Sequence, residues 1–119
     1  MRKKILVVED SEVLRFVYEH ELTGEGYDVF TTPSVNEALA RLKADEPDLI
    51  ILDIVLSGIS GISSISNILE GRRRPRIIVH SAFPEYRQNF KAWGADACLT
   101  KSADLTELKE KVRELLGTE

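Results

Sequence analysis

Four short apolar runs in this chain each stop at a polar residue. Ile5-Leu6-Val7-Val8 stops at Glu9-Asp10, and Leu49-Ile50-Ile51-Leu52 stops at Asp53. Ile77-Ile78-Val79-His80 stops at Ser81, and Ala97-Cys98-Leu99-Thr100 stops at Lys101. Short runs of β-prone residues with polar stops are the pattern of strands buried on both faces. Both faces are covered when helices cross over between parallel strands. In an open parallel sheet, ligands bind beyond the carboxyl ends of the strands. The pattern therefore predicts Glu9, Asp10, Asp53, Ser81 and Lys101 at one edge of one sheet.

Helical signals lie between the runs. The first strand covers about Lys4 to Val8. Ser11 is placed to cap a first helix, with Leu14, Val17, Tyr18 and Leu22 at helical spacing. Gly24 and Gly26 stop it. Tyr27 to Thr31 reads as a short second strand. Ser34-Val35-Asn36-Glu37 is a capping box that opens a second helix, with Ala38, Leu39 and Leu42 inward. Pro47 precedes the third strand. Ser57 to Gly61 reads as a loop, and a third helix runs from about Ile62 to Leu69, ended by Gly71. Pro75 precedes the fourth strand. A fourth helix covers roughly Pro84 to Trp93 and ends at Gly94. After the fifth strand, a fifth helix spans about Asp104 to Leu116, with Asp104 and Glu107 as a cap pair. Its apolar stripe is Leu105, Leu108, Val112, Leu115 and Leu116. The order βαβαβαβαβα predicts an α/β fold with a doubly wound parallel sheet.

The 119 residues suit one domain with a real core, read as a single unit over 1–119 with no output domain. A net charge of −4 weighs against direct nucleic-acid binding and against an anionic membrane surface. No apolar stretch approaches the roughly 20 residues that span a bilayer. The basic start Met1-Arg2-Lys3-Lys4 is followed by a run too short for a signal peptide. The single cysteine excludes an internal disulfide and suits a reducing compartment, so the expected location is the cytoplasm.

The charges at the sheet edge suggest a chemistry. Clustered carboxylates repel one another and resist ionisation without a counterion. A hard divalent cation resolves this. Mg²⁺ takes oxygen ligands, keeps waters, and is held by one or two carboxylates plus a phosphate. A carboxylate, a metal and a lysine together suit phosphoryl transfer to the carboxylate, because catalysis there is positioning plus neutralisation of three equatorial oxygens. The metal and Lys101 would meet two oxygens. The Ser81 hydroxyl and backbone N–H groups after Asp53 would meet the third.

With these residues in view, the chain resembles a response-regulator receiver domain of two-component signalling, of the chemotaxis-regulator type. The resemblance covers Lys4 to Leu116. It rests on Val7-Val8-Glu9-Asp10-Ser11, on Leu49 to Asp53, on Gly61 eight residues later, on His80-Ser81-Ala82 and on Leu99-Thr100-Lys101, all in register. It implies a flavodoxin-like (βα)5 fold with five parallel strands in the order 2-1-3-4-5. It implies Asp53 as the phosphoacceptor, Lys101 as partner of a phosphate oxygen and Ser81 as the switch hydroxyl. The implied metal ligands are Asp10, Glu9 largely through water, Asp53 and the Val55 main-chain carbonyl. The metal would be Mg²⁺, with Mn²⁺ as a substitute. The implied donor is a histidine kinase or phosphotransfer protein. Phosphorylation would switch the face of the fourth helix, fifth strand and fifth helix toward a downstream protein, and a phosphorylation-dependent homodimer stays open. The chain would be a phosphoacceptor that assists its own phosphorylation and dephosphorylation rather than an enzyme.

Four positions depart from the family pattern. Ser57 stands where proline is usual. Ser102 follows Lys101 where a cis-forming proline is usual, and a cis bond to serine costs about 3–4 kcal/mol, so a trans bond and a shifted loop are expected. Cys98 replaces a switch tyrosine or phenylalanine. Val55 and Phe83 flank the attack line with apolar groups and are expected to slow dephosphorylation. Elsewhere Arg72-Arg73-Arg74 with Arg76 reads as a solvated loop, Cys98 as a packing residue, and His20 and His80 as structural or surface residues. Tyr86 and Trp93 read as amphipathic residues of the fourth helix. The alternatives are a pseudo-receiver that switches by protein contact alone, an aspartyl-phosphate phosphatase and a flavin protein. Val55, two after Asp53, argues against the phosphatase, which wants an aspartate there. Glu9-Asp10 argues against a flavin phosphate after the first strand.

Overall fold

The computed structural model describes residues 2–42, 44–53, 75–82, 94–102 and 104–117. Its strands are β1 (Lys4–Val8), β2 (Asp28–Thr32), β3 (Leu49–Leu52), β4 (Arg76–Ser81) and β5 (Ala97–Thr100). Its helices are α1 (Glu12–Gly24), α2 (Val35–Leu42) and α3 (Thr106–Leu116), the last being the fifth helix of the sequence reading. The expected third and fourth helices lie outside the described residues, as do Val55, Ser57, Gly61, Arg72-Arg73-Arg74, Phe83, Tyr86 and Trp93.

All five strands are parallel and lie in the order β2-β1-β3-β4-β5. The reason is visible in the runs. Ile5, Leu6, Val7, Leu49, Ile50, Leu52, Ile77, Ile78 and Val79 are fully buried, which requires cover on both faces. Alternation then divides each strand. Ile5, Val7, Leu49, Ile51, Ile78, Ala97 and Leu99 pack against Tyr18 and Leu22 of α1 and Leu108 and Val112 of α3. Leu6, Val8, Ile50, Leu52, Ile77, Val79 and Cys98 pack against Val35 and Ala38 of α2. Leu39 and Leu42 join that second layer only partly buried.

The capping signals act as expected at two helices. The Ser11 hydroxyl accepts from Leu14 N–H at 3.2 Å, and the Ser34 hydroxyl from Glu37 N–H at 3.2 Å. Three details differ. Leu14 and Val17 are 37% and 36% exposed, so Tyr18 and Leu22 alone form the buried contact of α1. Helix α1 runs through Gly24, and the turn follows at Gly26 with φ +100°. Helix α3 starts at Thr106 rather than Asp104. The Asp104 carboxylate accepts from both Thr106 N–H (2.9 Å) and the Thr106 hydroxyl (2.6 Å), a local turn that competes with helix. The described peptide bonds are all trans, Lys101–Ser102 among them.

Candidate functional site

The parity that sorts the core also aims the charges. Glu9 continues the Ile5, Val7 series of β1, Asp53 the Leu49, Ile51 series of β3, and Lys101 the Ala97, Leu99 series of β5. Each therefore leaves its strand toward the α1 side of the sheet. Ladder bonds continue past the strand ends and hold these residues: Asp53 N–H donates to Val8 O at 3.4 Å and Lys101 N–H to Ser81 O at 2.7 Å. Glu9 N–H donates to Thr32 O at 3.0 Å.

The side chains converge. Lys101 Nζ lies 2.7 Å from Glu9 Oε1 and 2.8 Å from Asp53 Oδ2. Glu9 and Asp53 are buried, and Lys101 is only 20% exposed along its side chain. Burial is the largest effect on the ammonium and works against its charge. The hydrogen bonds to Asp53 and Glu9, and then their charges, outweigh it, so the Lys101 pKa rises above its ordinary value. Lys101 is thus a fixed cation between two carboxylates.

The loop between β1 and α1 is braced around this cluster. Glu9 Oε2 accepts from Ser11 N–H at 3.2 Å, so both oxygens of Glu9 are engaged. The Arg15 guanidinium donates to the carbonyls of Glu9 (2.8 Å) and Asp10 (3.0 Å). The sequence reading missed Arg15, although its place one turn into a helix that starts beside the acidic pair was a usable signal. Asp10 itself is exposed at the same edge, and Ser81 is fully buried at the end of β4.

Among the described residues, Glu9, Asp10 and Asp53 set three formal negative charges against the Lys101 ammonium and the Arg15 guanidinium. That excess, on hard oxygen donors, fits a divalent cation such as Mg²⁺. Among the described residues no three His, Cys, Asp or Glu side chains gather closely enough to hold a metal by themselves. Mg²⁺ does not need such a cage, since it keeps waters and shares its shell with a phosphate.

His80, expected as a structural or surface residue, is a buried member of this neighbourhood. Its Nδ1 lies 2.6 Å from the Tyr18 hydroxyl, with the rings edge-on at a centroid distance of 5.7 Å. Burial, and then the charge of Lys101, lowers the His80 pKa to about 4 against the opposing pull of Asp53. Burial, and then Glu9 and Asp53, raises that of Tyr18. Cys98 is buried on the α2 side, in the packing role expected of it.

The model of the response regulator receiver domain family matches residues 5–113. The chain is 32% identical over 118 residues to the alkaline phosphatase synthesis transcriptional regulatory protein PhoP of Bacillus subtilis, covering 98% of this chain and 49% of that protein. It is 29% identical over 118 residues to the sporulation initiation phosphotransferase F of Bacillus subtilis, covering 98% of this chain and 95% of the relative. The chain thus spans about half the length of PhoP and of the similar Rhizobium meliloti PhoB, of which it covers 53%. Among solved structures it is similar to the response regulator TrrA of Thermotoga maritima in complex with Mg²⁺-BeF, with 39% identity, a TM-score of 0.85, and coverage of 95% of this chain and 98% of that one. The same relative has been solved in complex with the histidine kinase ThkA, again at 39% identity and a TM-score of 0.85, covering 97% of this chain and 99% of that one.

Proposed function

The chain belongs to the response regulator receiver domain family of two-component systems, and on that premise we propose that Asp53 accepts a phosphoryl group from a histidine kinase or phosphotransfer protein. One observation carries the reading: two buried carboxylates from neighbouring strands, Glu9 and Asp53, meet a single ammonium at 2.7 and 2.8 Å. A lone acid at a strand end would not need this.

An Asp53 carboxylate oxygen attacks phosphorus, the P–N bond of the donor phosphohistidine breaks, and the imidazole leaves. Lys101 neutralises one equatorial oxygen and holds Asp53 for in-line approach. The Ser81 hydroxyl donates to another oxygen as charge moves onto the phosphoryl group. Asp10, Glu9, Asp53 and the Val55 carbonyl would hold Mg²⁺ or Mn²⁺. The metal supplies further neutralisation of phosphoryl charge, as a Lewis acid. Arg15 keeps the Glu9–Asp10 loop in place. In this way the receiver assists its own phosphorylation and dephosphorylation without being an enzyme of the ordinary kind.

Helix α1 begins at this edge and exposes Val13 (71%) and Phe16 (69%). That apolar ridge beside the acceptor suits docking of a donor protein's helix. Phosphorylation adds about −1.5 to −2 charges at Asp53 and draws Lys101 and Ser81, biasing the face that β5 and α3 would form with the expected fourth helix toward a downstream protein. Among the described residues no helix is long and apolar enough to cross a membrane. A cytoplasmic location and protein rather than nucleic-acid partners belong to this proposal.

The test is incubation with acetyl phosphate and Mg²⁺, followed by intact-mass measurement. The wild type gains one phosphoryl group, lost at alkaline pH, and Asp53→Asn gains none. Equal labelling of the two proteins would move the reading to a pseudo-receiver that works by contact alone.

A further inference from the structure

Helix α1 sends one side chain back over the acidic loop that precedes it. Arg15 lies one turn into the helix, and its own N–H donates to Ser11 O at 2.9 Å. A single guanidinium nitrogen, Nη1, donates to Glu9 O at 2.8 Å and to Asp10 O at 3.0 Å. Along an extended strand, successive carbonyls point to opposite sides. Two consecutive carbonyls that meet one nitrogen therefore belong to a chain that has turned. Carbonyl oxygens brought together repel, and the guanidinium is the cation that holds these two side by side.

The turn divides the acidic pair. Glu9 is buried, with its N–H on Thr32 O at 3.0 Å and its two carboxylate oxygens on Lys101 Nζ and Ser11 N–H. Asp10 is exposed at the sheet edge. Glu9 is thus committed within the chain, and Asp10 is the member of the pair that faces solvent. Where Asp10 stands relative to Glu9 and Asp53 depends on the turn, and the turn on Arg15. Mg²⁺ demands near-ideal octahedral geometry, so it tolerates little error in the placement of its carboxylates. A loop ordered only on binding would lose affinity to that ordering. The positive charge of Arg15 works the other way, because it repels a cation. The two carbonyls draw on that charge and water screens the remainder, so preorganisation is the larger effect.

We propose that Arg15 is a positioning residue that fixes the Glu9–Asp10 turn and thereby sets the affinity of this edge for Mg²⁺. The proposal deepens the reading of this edge as a metal-assisted phosphoacceptor site and rests on its metal site. The guanidinium meets main-chain oxygens of the loop, so its effect falls on cation binding and not on the transfer step.

The experiment is an amide NMR titration of the full chain with Mg²⁺ alone, without a phosphoryl donor, for wild type, Arg15→Met, Arg15→Lys and Ser11→Ala. Arg15→Met should raise the Mg²⁺ dissociation constant about tenfold, the low end of what losing a residue that orients metal ligands costs. Arg15→Lys keeps the charge without the planar fork and should recover part of the loss. Ser11→Ala removes the cap of the same helix but leaves the brace, and should bind within about twofold of wild type. With acetyl phosphate added, Arg15→Met should be slow at low Mg²⁺ and regain the wild-type rate as Mg²⁺ saturates. Binding by Arg15→Met as tight as wild type, or tighter, would overturn the proposal, the tighter result making Arg15 a repelling charge. An equal loss in Ser11→Ala would also overturn it, by tracing the effect to a frayed helix. So would a rate loss that persists at saturating Mg²⁺. If Arg15→Met fails to fold, Arg15→Gln is judged by the same criteria. A wild type that binds Mg²⁺ yet takes no phosphoryl group would refute the phosphoacceptor reading and leave this proposal to the titration, whereas a wild type without any Mg²⁺ response would refute both.

Discussion

Acidic residues stand at both edges of the sheet, and their partners differ. At the amino edge, Asp48 Oδ2 accepts from Lys4 N–H at 2.8 Å, and Asp96 Oδ2 from Ile77 N–H at 2.8 Å, while Asp96 Oδ1 also meets the exposed Arg76 guanidinium at 3.3 Å. Each of these carboxylates stands at a strand start and receives a backbone donor of the neighbouring chain segment, stitching β1 to β3 and β4 to β5. At the carboxyl edge, Glu9 and Asp53 instead share one lysine. An acid next to a strand is therefore not a site by position. Convergence of buried charge makes it one, because burying like charges together has a large cost that only a function or a strong counterion offsets.

The largest expected effect breaks the contrast at its centre. Lys101→Met leaves Glu9 and Asp53 buried without their cation, and stability in urea should fall by about 3 kcal/mol. Mg²⁺ should restore part of it, and phosphorylation of Asp53 should be lost. A variant as stable as wild type, without Mg²⁺, would mean that the two carboxylates are not held against each other.

Next comes pH. The folded His80 pKa lies near 4, below the ordinary 6.5. A depressed value means that its contribution is present above pH 6.5 and is lost as pH falls toward 4. The fall should be on the order of 3 kcal/mol, flattened in His80→Leu, and followed by urea midpoints at stepped pH. Wild-type and leucine curves of the same slope would place the loss elsewhere. Lys101 has the opposite sign: its raised pKa keeps the ion pairs intact through neutral pH and releases them only in strong alkali.

At the amino edge the effect should be smaller and confined to stability. Asp96→Ala orphans the Ile77 N–H and should cost about 1–2 kcal/mol, with the phosphorylation rate unchanged. A changed rate would blur the distinction between the edges. The smallest effect is expected at the cap of α1, where Ser11→Ala should cost about 1 kcal/mol in thermal unfolding.

Much of this was legible in the sequence, for physical reasons. A four-residue aliphatic run rich in Val and Ile has few places to go other than a buried strand, so the ends of β1 and β3 follow from the order of residues. Parallel topology puts all the carboxyl ends on one side, so Glu9, Asp53 and Lys101 share one edge and are in contact there, and Ser81 ends β4 at the same edge. The inner face of α1 was harder. Apolar residues lie round most of its circumference at Val13, Leu14, Phe16, Val17 and Tyr18, and periodicity does not select which stripe meets the sheet. The Tyr18–His80 bond was missed because each residue reads as ordinary by itself. Alternation along β4 places His80 on the same face as Ile78, and that parity was the available signal.

The most direct measurement is an amide NMR spectrum with beryllofluoride and Mg²⁺, for wild type and Asp53→Asn. The account predicts Mg²⁺-dependent shifts at Asp53, Ser81 and Lys101 that are lost in the variant. No response at millimolar Mg²⁺, or the same response in Asp53→Asn, would contradict it.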